Sequence, residues 1–502
     1  METSKLRIRL KYSTIVNYIA QLYRLVIAVG FAVVVARRLT IEAFGLWGII
    51  LSVSLMLSSI TTLWKFWTSR FLARGYKEAA TASLGLSLIY CLVGSLIYLA
   101  ISYLEWHLLG WGLNYMLIGL LVFILYVLND GFEGIISVTK PELLGYRTFI
   151  YETLRLILAI VLVKMLNLGL LGAILSVEVS LLITVLYMFL IVLRWKLISW
   201  SFPFKLALQW LKAGYIPLLN MIYNSLIGGV RAFTSWLTGS EVIVAYLNVG
   251  FSAQTPLSKL AQASTFALYA RLLRKPRPQD LTETLRIYFT ASGFVVTTLI
   301  VLSRSIASIF NPKYYLDAYI IIIIVALYSL VASLSSIYLT AVLGSSDIDR
   351  QGLTSHRILL SSPLFRALLV RVLGVIIAYG ISALLILSVP GENIVNAVNV
   401  CLALLIASTI TLSYMYYKAR KLIPHKIPYR EAIAVVIASI TILVYYYLTR
   451  VYTIIIHSFW SDTPTLIIHL TIALAIYSSI LLALSPWTRG VLKQALKTTI
   501  KT

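Results

Sequence analysis

Long apolar runs dominate the sequence and restrict what the chain can fold into. Stretches of about 20 mostly aliphatic residues, the length that spans a bilayer core as a helix, recur from one end to the other. Hydrophobic residues make up 60% of the 502 positions and charged residues only 12%, whereas about a quarter of a soluble protein is charged. The chain is therefore predicted to be an all-α polytopic membrane protein.

We predict 14 transmembrane helices, joined by short connections. The longest polar stretches, around 270–281 and 345–371, are too short to fold as a soluble catalytic module. The predicted spans lie near 14–36, 44–64, 82–103, 115–137, 149–165, 170–193, 213–237, 242–268, 284–303, 317–343, 372–389, 394–416, 431–449 and 464–485.

The cations predict the orientation of these spans. The chain holds 42 Lys and Arg against 18 Asp and Glu, a net charge of +24. The segments on the side of the N-terminus carry 32 of the 42 and the opposite loops carry 6. Positive segments stay on the cytoplasmic side, so we expect a cell-membrane protein with both termini cytoplasmic. The same argument accounts for the basic charge without a nucleic-acid partner.

A helical hairpin is duplicated in the sequence. Leu39-Thr40 with Glu42 and Trp47 returns as Leu237-Thr238 with Glu241 and Tyr246, and both Glu42–Glu241 and Trp47–Tyr246 are 199 residues apart. The repeat predicts two six-helix lobes, 1–200 and 201–417, followed by an additional helix pair, 418–502. Six is an even number, so both lobes enter the membrane in the same direction, and a site is expected between them.

Polar residues at helical spacing mark one face of each duplicated hairpin. In the second hairpin, 242–268 is predicted to be one helix with a continuous polar stripe. Ionisable groups at bilayer depth are costly and imply a water-filled cavity or a partner. The cavity candidates are Asn17, Gln21 and Arg24 in the first hairpin, and Asn220, Asn224, Arg231, Asn248, Thr255, Lys259 and Gln262 in the second.

Two interpretations of these cations remain open. Arg24, Arg231 and Lys259 fit a cationic cavity for an anionic substrate, such as phosphate or pyrophosphate. Alternatively, they form internal ion pairs with Asp130, Glu133 or Glu178 that hold helices together.

The carboxylates Asp130 and Glu133 share a helix face at i, i+3. They are candidates for a proton or sodium site that drives transport, or for charge compensation of the cavity arginines. The two cysteines and five histidines show no metal-ligand spacing, and no Gly-Lys pair of a phosphate-binding loop occurs. We therefore predict no metal and no cofactor.

Three segments carry a family resemblance. Arg38–Trp47 resembles the signature after the first helix of polysaccharide flippases, which belong to the multidrug/oligosaccharidyl-lipid/polysaccharide exporter superfamily. Glu241–Tyr246 is similar to a second motif of that family, with Val244 where glycine is usual. Ile309–Ala318 looks like the loop before the family's tenth helix.

The resemblance implies a transporter rather than an enzyme. It implies a V-shaped pair of six-helix bundles around a cavity that works by alternating access. The expected cargo is a polyprenyl-(pyro)phosphate-linked oligosaccharide, moved from the inner to the outer leaflet for surface polysaccharide or glycoprotein assembly. Its lipid tail stays in the bilayer, and glycan-assembly enzymes are possible partners. By position, Arg24 and Arg231 on the first helix of each lobe correspond to cavity cations of related flippases.

Alternative functions differ in what the polar residues do. A drug/cation antiporter of the same superfamily needs acidic residues in its cavity. A membrane glycosyltransferase or polysaccharide polymerase is favoured by a large outer loop or an outer acidic pair, but the outer loops are short. Asp347 and Asp349 match the Asp-x-Asp pattern that such enzymes use for metal binding, but they lie on a short loop predicted to be internal, where a solvated turn is favoured. A membrane scaffold has no reason to duplicate a polar stripe.

Overall fold

A computed structural model describes residues 10–73, 75–199, 201–212, 214–274, 277–345, 362–388 and 391–490. Every regular element within these ranges is helical. The helices are α1 (Leu10–Arg38), α2 (Ile41–Ser58), α3 (Thr62–Ala73), α4 (Glu78–Leu109), α5 (Leu113–Thr139), α6 (Glu142–Ala159), α7 (Gly169–Arg194), α8 (Phe204–Lys212), α9 (Tyr215–Thr238), α10 (Glu241–Ala253), α11 (Thr255–Arg274), α12 (Pro278–Val301), α13 (Ser303–Phe310), α14 (Tyr319–Gly344), α15 (Pro363–Ser388), α16 (Asn393–Leu422), α17 (Tyr429–Leu448) and α18 (Phe459–Leu484).

Eleven helices in the described part of the chain are long and apolar enough to cross a membrane. Each coincides with a predicted span, which confirms a polytopic helical membrane protein. The other three predicted spans, 149–165, 213–237 and 242–268, fall on α6, α9 and the α10–α11 segment. Charged side chains in α6, and amides with Arg231 in α9, lower the hydropathy of these two helices, whereas the helix break leaves α10 too short to span a membrane. The total of 14 spans stays a prediction.

The second span of each hairpin is interrupted near its middle. The prediction of one continuous helix over 242–268 is wrong, because α10 ends at Ala253 and α11 begins at Thr255. Pro256 follows the break, and proline lacks the N–H that an unbroken helix would use. In the first hairpin a 3₁₀ turn over Ser59–Thr61 separates α2 from α3.

The duplicated Leu-Thr…Glu phrase forms the turn between two helices. Thr40 caps α2, and its hydroxyl accepts a hydrogen bond from the backbone N–H of Ala43 at 3.3 Å. The Glu42 carboxylate lies in the first turn of the same helix, where it complements the helix dipole. In the second copy, Gly239 ends α9 in the left-handed conformation and Glu241 begins α10.

The chain forms two compact units. The first comprises the residues up to Asn248 together with Ala383–Ala397. Inside it, α1 packs on α6, α5 packs on α4 and α7, and α9 packs on α2 and α3. The short α8 is anchored by Trp210, which is buried with Trp64 and Trp67 against α3 and α4.

The second unit comprises Val249–Ser382 and the residues from Val398 onward. Here α11 packs on α14 and α12, while α17 and α18 pack on each other and on α12. Gly293 of α12 permits this close packing, because a Cβ there would lie 2.3 Å from Val435 Cγ1. The additional C-terminal helix pair is thus docked on α12 by an apolar core.

The division into lobes at 200 and 417 describes an internal repeat and stays a prediction. The terminal segments 1–9 and 491–502, predicted to be cytoplasmic, lie outside the described residues. The pair Asp347 and Asp349 also lies outside them.

Candidate functional site

A network of charged side chains connects α3, α5 and α6 in the first unit. Lys65 Nζ lies 3.2 Å from Asp130 Oδ1 and 3.0 Å from Glu133 Oε1. Arg147 Nη1 bonds the other oxygen of Glu133 at 2.9 Å. The Thr61 hydroxyl donates to Asp130 Oδ2 at 2.9 Å. The charges of the two acids are therefore compensated by Lys65 and Arg147. The sequence analysis expected the cavity arginines as their partners and did not identify Lys65 or Arg147 in this role.

A second charged group connects α1 to α6. Glu152 is 1% exposed and lies between two arginines. Its Oε1 is 3.1 Å from Arg24 Nε, and its Oε2 is 2.6 Å from Arg155 Nη2. The Arg155 guanidinium also stacks over the rings of Phe31 and Tyr151, at 4.4 and 5.1 Å from their centroids. Arg24 is ion-paired, as one interpretation of the sequence proposed, but its partner is Glu152 rather than Asp130, Glu133 or Glu178.

Together these two groups form what we term the ionic belt of the first unit. It contains four cations and three carboxylates and has a net charge of +1, as listed here: Arg24, Lys65, Arg147, Arg155, Asp130, Glu133 and Glu152. Side-chain exposure is 41% for Arg24 and 30% for Lys65. Partly exposed charges at membrane depth face water or a polar ligand rather than lipid. The ionic belt can thus hold an anion.

The predicted polar face of α1 lies near α6. The Asn17 amide donates to the Pro141 carbonyl at 3.0 Å, just before α6 begins. Gln21 is half-buried, and its Oε1 has no hydrogen-bond partner in the part of the chain that the structure describes. Arg24 continues this face into the ionic belt, so the structure brings the three α1 candidates together on the side of α1 that lies near α6.

On α9, the predicted polar face and the packing face are neighbours. Asn220 and Arg231 are half-buried and Asn224 is exposed. The contact with α2 uses a face turned by roughly 80° from theirs, given 100° per residue. There, Ser52 Oγ donates to the Gly228 carbonyl at 2.6 Å and accepts from the Ala232 N–H at 3.3 Å.

The packing face continues toward the ends of α9 and α10 that are predicted to be external. Ser235 of α9 donates to the Glu105 carboxylate of α4 at 2.9 Å. The Trp111 indole, between α4 and α5, donates to Glu241 Oε1 at 3.0 Å. Asn248 donates to the Phe44 carbonyl of α2 at 3.0 Å. We term these contacts of α9 and α10 with α2 and α4 the seam.

Asn248 differs from the other candidates because it is 2% exposed. Its amide donates to the Phe44 carbonyl in the seam and is not accessible to a ligand. The candidates beyond it lie in the second unit on or near α11, where Lys259 Nζ donates to Gln262 Oε1 at 3.0 Å and Thr255 Oγ1 contacts the Phe251 carbonyl at 3.5 Å.

Sequence reasoning missed four members of the ionic belt as site residues. Lys65, Arg147, Glu152 and Arg155 are not among the candidate residues that the sequence predicts. Arg147, Tyr151 and Arg155 recur at intervals of four on α6, and Glu152 lies beside them. That spacing puts the arginines on one helix face, and it is the signal that could have identified α6 as a site helix.

Candidate ligands for a metal are sparse. Within the described ranges, no group of three or more His, Cys, Asp or Glu side chains is arranged to hold a metal ion. The carboxylates of the ionic belt are instead bonded to lysine and arginine.

The chain shares its fold with transporters of the superfamily that its motifs resemble. One matching structure is the inward-facing conformation of a multidrug-resistance MATE family transporter of the MOP superfamily, with a TM-score of 0.60 over 81% of this chain and 99% of that chain, at 14% identity. The outward-facing conformation of a MATE transporter matches with a TM-score of 0.55 over 82% and 95% of the two chains, at 15% identity.

A lipid-transporting protein has the same fold. The lipid II flippase MurJ, in its inward closed conformation, matches with a TM-score of 0.60 over 95% of this chain and 100% of that chain, at 14% identity. No protein-family model and no curated protein sequence matches the chain. At these identities the likeness establishes the fold, and this fold is the one that the resemblance of the sequence motifs implies.

Proposed function

We propose that the protein is a flippase for a lipid-linked oligosaccharide. It carries a polyprenyl-phosphate or polyprenyl-pyrophosphate glycan from the inner to the outer leaflet by alternating access, and it serves surface polysaccharide or glycoprotein assembly. The phosphate and sugars enter the polar interior while the polyprenyl tail stays in lipid.

The observation that carries this proposal is the net positive charge of the ionic belt. Its carboxylates are each bonded to at least one cation, and Arg24 keeps 41% of its side chain exposed beside Glu152. Arginine presents a planar set of donors that matches phosphate oxygens. An anionic headgroup can therefore replace water at Arg24 without breaking the Glu152–Arg155 pair.

The seam supplies the part that must open and close. Its bonds run from hydroxyl, indole, amide and backbone N–H groups to carbonyl, carboxyl and hydroxyl oxygens. Water can replace each of them when the helices separate. Such exchange makes the net free energy of each bond small, about 1 kcal/mol. A seam of this composition suits an interface that forms and parts in every transport cycle.

The alternative in the same fold is a drug/cation antiporter, and the fold comparison does not choose between the two. Charge favours the flippase, since an organic cation needs an accessible acid that is not compensated. Asp130, Glu133 and Glu152 are all paired with cations, and Glu105 and Glu178 are buried. The membrane glycosyltransferase hypothesis is opposed by the transporter fold.

Reconstitution tests the proposal. Vesicles containing the protein and a fluorescent lipid-linked oligosaccharide are exposed to a membrane-impermeant quencher, and the accessible fraction is followed over time. We expect time-dependent exposure, and a loss of roughly 10- to 100-fold in rate for Arg24→Ala combined with Arg231→Ala, since a hydrogen bond to a charged group contributes about 1.5–3 kcal/mol.

The matched control is Arg304→Ala, an exposed cation on α13 in a predicted external segment, which should flip at the original rate. Normal flipping by the double variant would remove the cavity assignment. Sugar transfer from a nucleotide donor would replace the flippase with the enzyme hypothesis.

A further inference from the structure

Glu105 is a buried carboxyl group that has no cationic partner within the described part of the chain. It lies in the last turn of α4 before the α4–α5 connection and is 0% exposed. One carboxyl oxygen accepts the Ser235 hydroxyl at 2.9 Å. The other oxygen is buried beside the Trp236 indole and makes no hydrogen bond of standard geometry to a described residue. Glu105 therefore differs from Asp130, Glu133 and Glu152, each of which is bonded to at least one cation.

An ionised carboxylate in this position is strongly disfavoured. Burial of a charge without a partner costs far more than burial of the neutral acid, and a protein site avoids this by binding a proton. If α9 moves away from α4, Glu105 becomes accessible to water, and the ionised form is again solvated. The protonation state of Glu105 and the contact between α4 and α9 are consequently linked.

The groups around Glu105 do not offer an alternative counterion. On α9 it faces the Ser235 hydroxyl and the neutral Trp236 indole. Glu241 of α10 is bonded to Trp111 of the α4–α5 connection. Other titratable or charged groups on the described parts of the neighbouring elements include the exposed Tyr103 and His107 on α4 and the exposed Glu42 on α2. Tyr98 on α4 is buried, Tyr115 on α5 is half-buried, and Arg231 lies on α9, one turn before Ser235.

We infer that Glu105 is a proton-binding site that closes the seam when it is protonated. The inference rests on the proposed function in one respect, that the seam parts during transport. Because α4 is predicted to end at the external side, the proton comes from that side. An acidic exterior then favours the closed seam, and each opening releases one proton to the outside.

Distance measurements on spin-labelled protein in lipid nanodiscs test this inference. Labels at His107→Cys on α4 and Leu237→Cys on α9 report the separation of the two helix ends, and the first label also removes the nearby histidine. The native cysteines Cys91 and Cys401 are buried and should stay unlabelled. We expect the ratio of short to long distances to rise as pH falls, by at most about tenfold per pH unit for one proton.

Three variants decide the outcome. Glu105→Gln, which mimics the protonated acid, should keep the short distance at pH 8 and pH 5, and Glu105→Met should also abolish the pH response if the glutamine variant does not fold. Glu178→Gln is the matched control, since Glu178 is also buried and one of its oxygens has no hydrogen-bond partner in the described ranges. This variant should respond to pH like the original protein. A pH-independent original protein, or an unchanged response in the Glu105 variants, overturns the inference.

The distance readout separates this inference from the proposed cargo. It requires no substrate, so a protein that flips no lipid-linked glycan but closes with one proton retains the Glu105 site and loses the flippase hypothesis. If the protein flips the lipid-linked glycan but the label distances do not respond to pH, the flippase hypothesis is retained and the Glu105 site is lost.

Discussion

At the scale of single residues, the central feature is Glu152, which joins two arginines on different helices. Its side chain is 1% exposed, and both of its oxygens are engaged by guanidinium groups. Arg155 is further held by stacking on Phe31. The removal of one acid leaves two cations facing each other, and a buried charge without its partner is more destabilising than a neutral replacement of the whole pair.

We therefore expect Glu152→Gln to lower the free energy of unfolding by about 3 kcal/mol, near the low end for a buried pair because Arg24 is partly exposed. Thermal unfolding of the detergent-solubilised protein measures the effect. Glu42→Gln, an exposed acid in the first turn of α2, is the control and should change stability little. Equal melting temperatures for both variants would contradict a structural role of the ion pairs that Glu152 forms with Arg24 and Arg155.

At the scale of elements, the seam depends on the close approach of α2 to α10. A Cβ at Gly45 would lie 1.9 Å from the Glu241 carbonyl oxygen, and a Cβ at Gly48 would lie 2.0 Å from the Asn248 amide. The first contact is with backbone, which cannot rotate away. Because Gly45 has no side chain, α10 can approach α2 closely enough to close the seam.

Gly45→Ala should push α10 away from α2 and shift the protein toward the open seam. Overpacking of this kind costs about 1–3 kcal/mol, which corresponds to a shift of roughly 5- to 100-fold in the closed population. The His107–Leu237 label pair reports this shift as a gain of the long distance.

Gly380→Ala provides the comparison, because a Cβ there meets nothing within 4 Å. Alanine in a helix interior is also favoured over glycine by about 1 kcal/mol, so this variant should be neutral or slightly stabilising. If the closed fraction of Gly45→Ala equals that of the original protein, closure of the seam does not depend on the close approach of Gly45 to Glu241.

At the scale of the whole molecule, the distribution of cations predicts which side of the membrane each loop occupies. Arg450 follows α17 on the side predicted to be external, and Lys421 lies near the end of α16 on the side predicted to be cytoplasmic; both are exposed. In intact cells, a membrane-impermeant maleimide should label Arg450→Cys and leave Lys421→Cys unmodified until the cells are opened. The reverse pattern would invert the orientation and place Glu105 toward the cytoplasm.

The sequence by itself determined that the chain is a bundle of membrane helices and where the described spans lie. Lipid imposes this pattern residue by residue, because each span must be apolar over the bilayer thickness, and no knowledge of neighbouring helices is needed to detect it. The polar faces with Arg24 and Arg231 were visible for the same reason, since charge within an apolar run stands out without any structure.

Only the tertiary structure decided which charges meet. Glu152 was not recognised as the partner of Arg24, and Lys65 and Arg147 were not recognised as the partners of Asp130 and Glu133, because ion pairing depends on which helices are neighbours. The same holds for Glu105, whose isolation follows from its packing against α9. Hydropathy is a property of each segment alone, whereas the pairing of buried charges is a property of contacts between segments that are far apart in the chain.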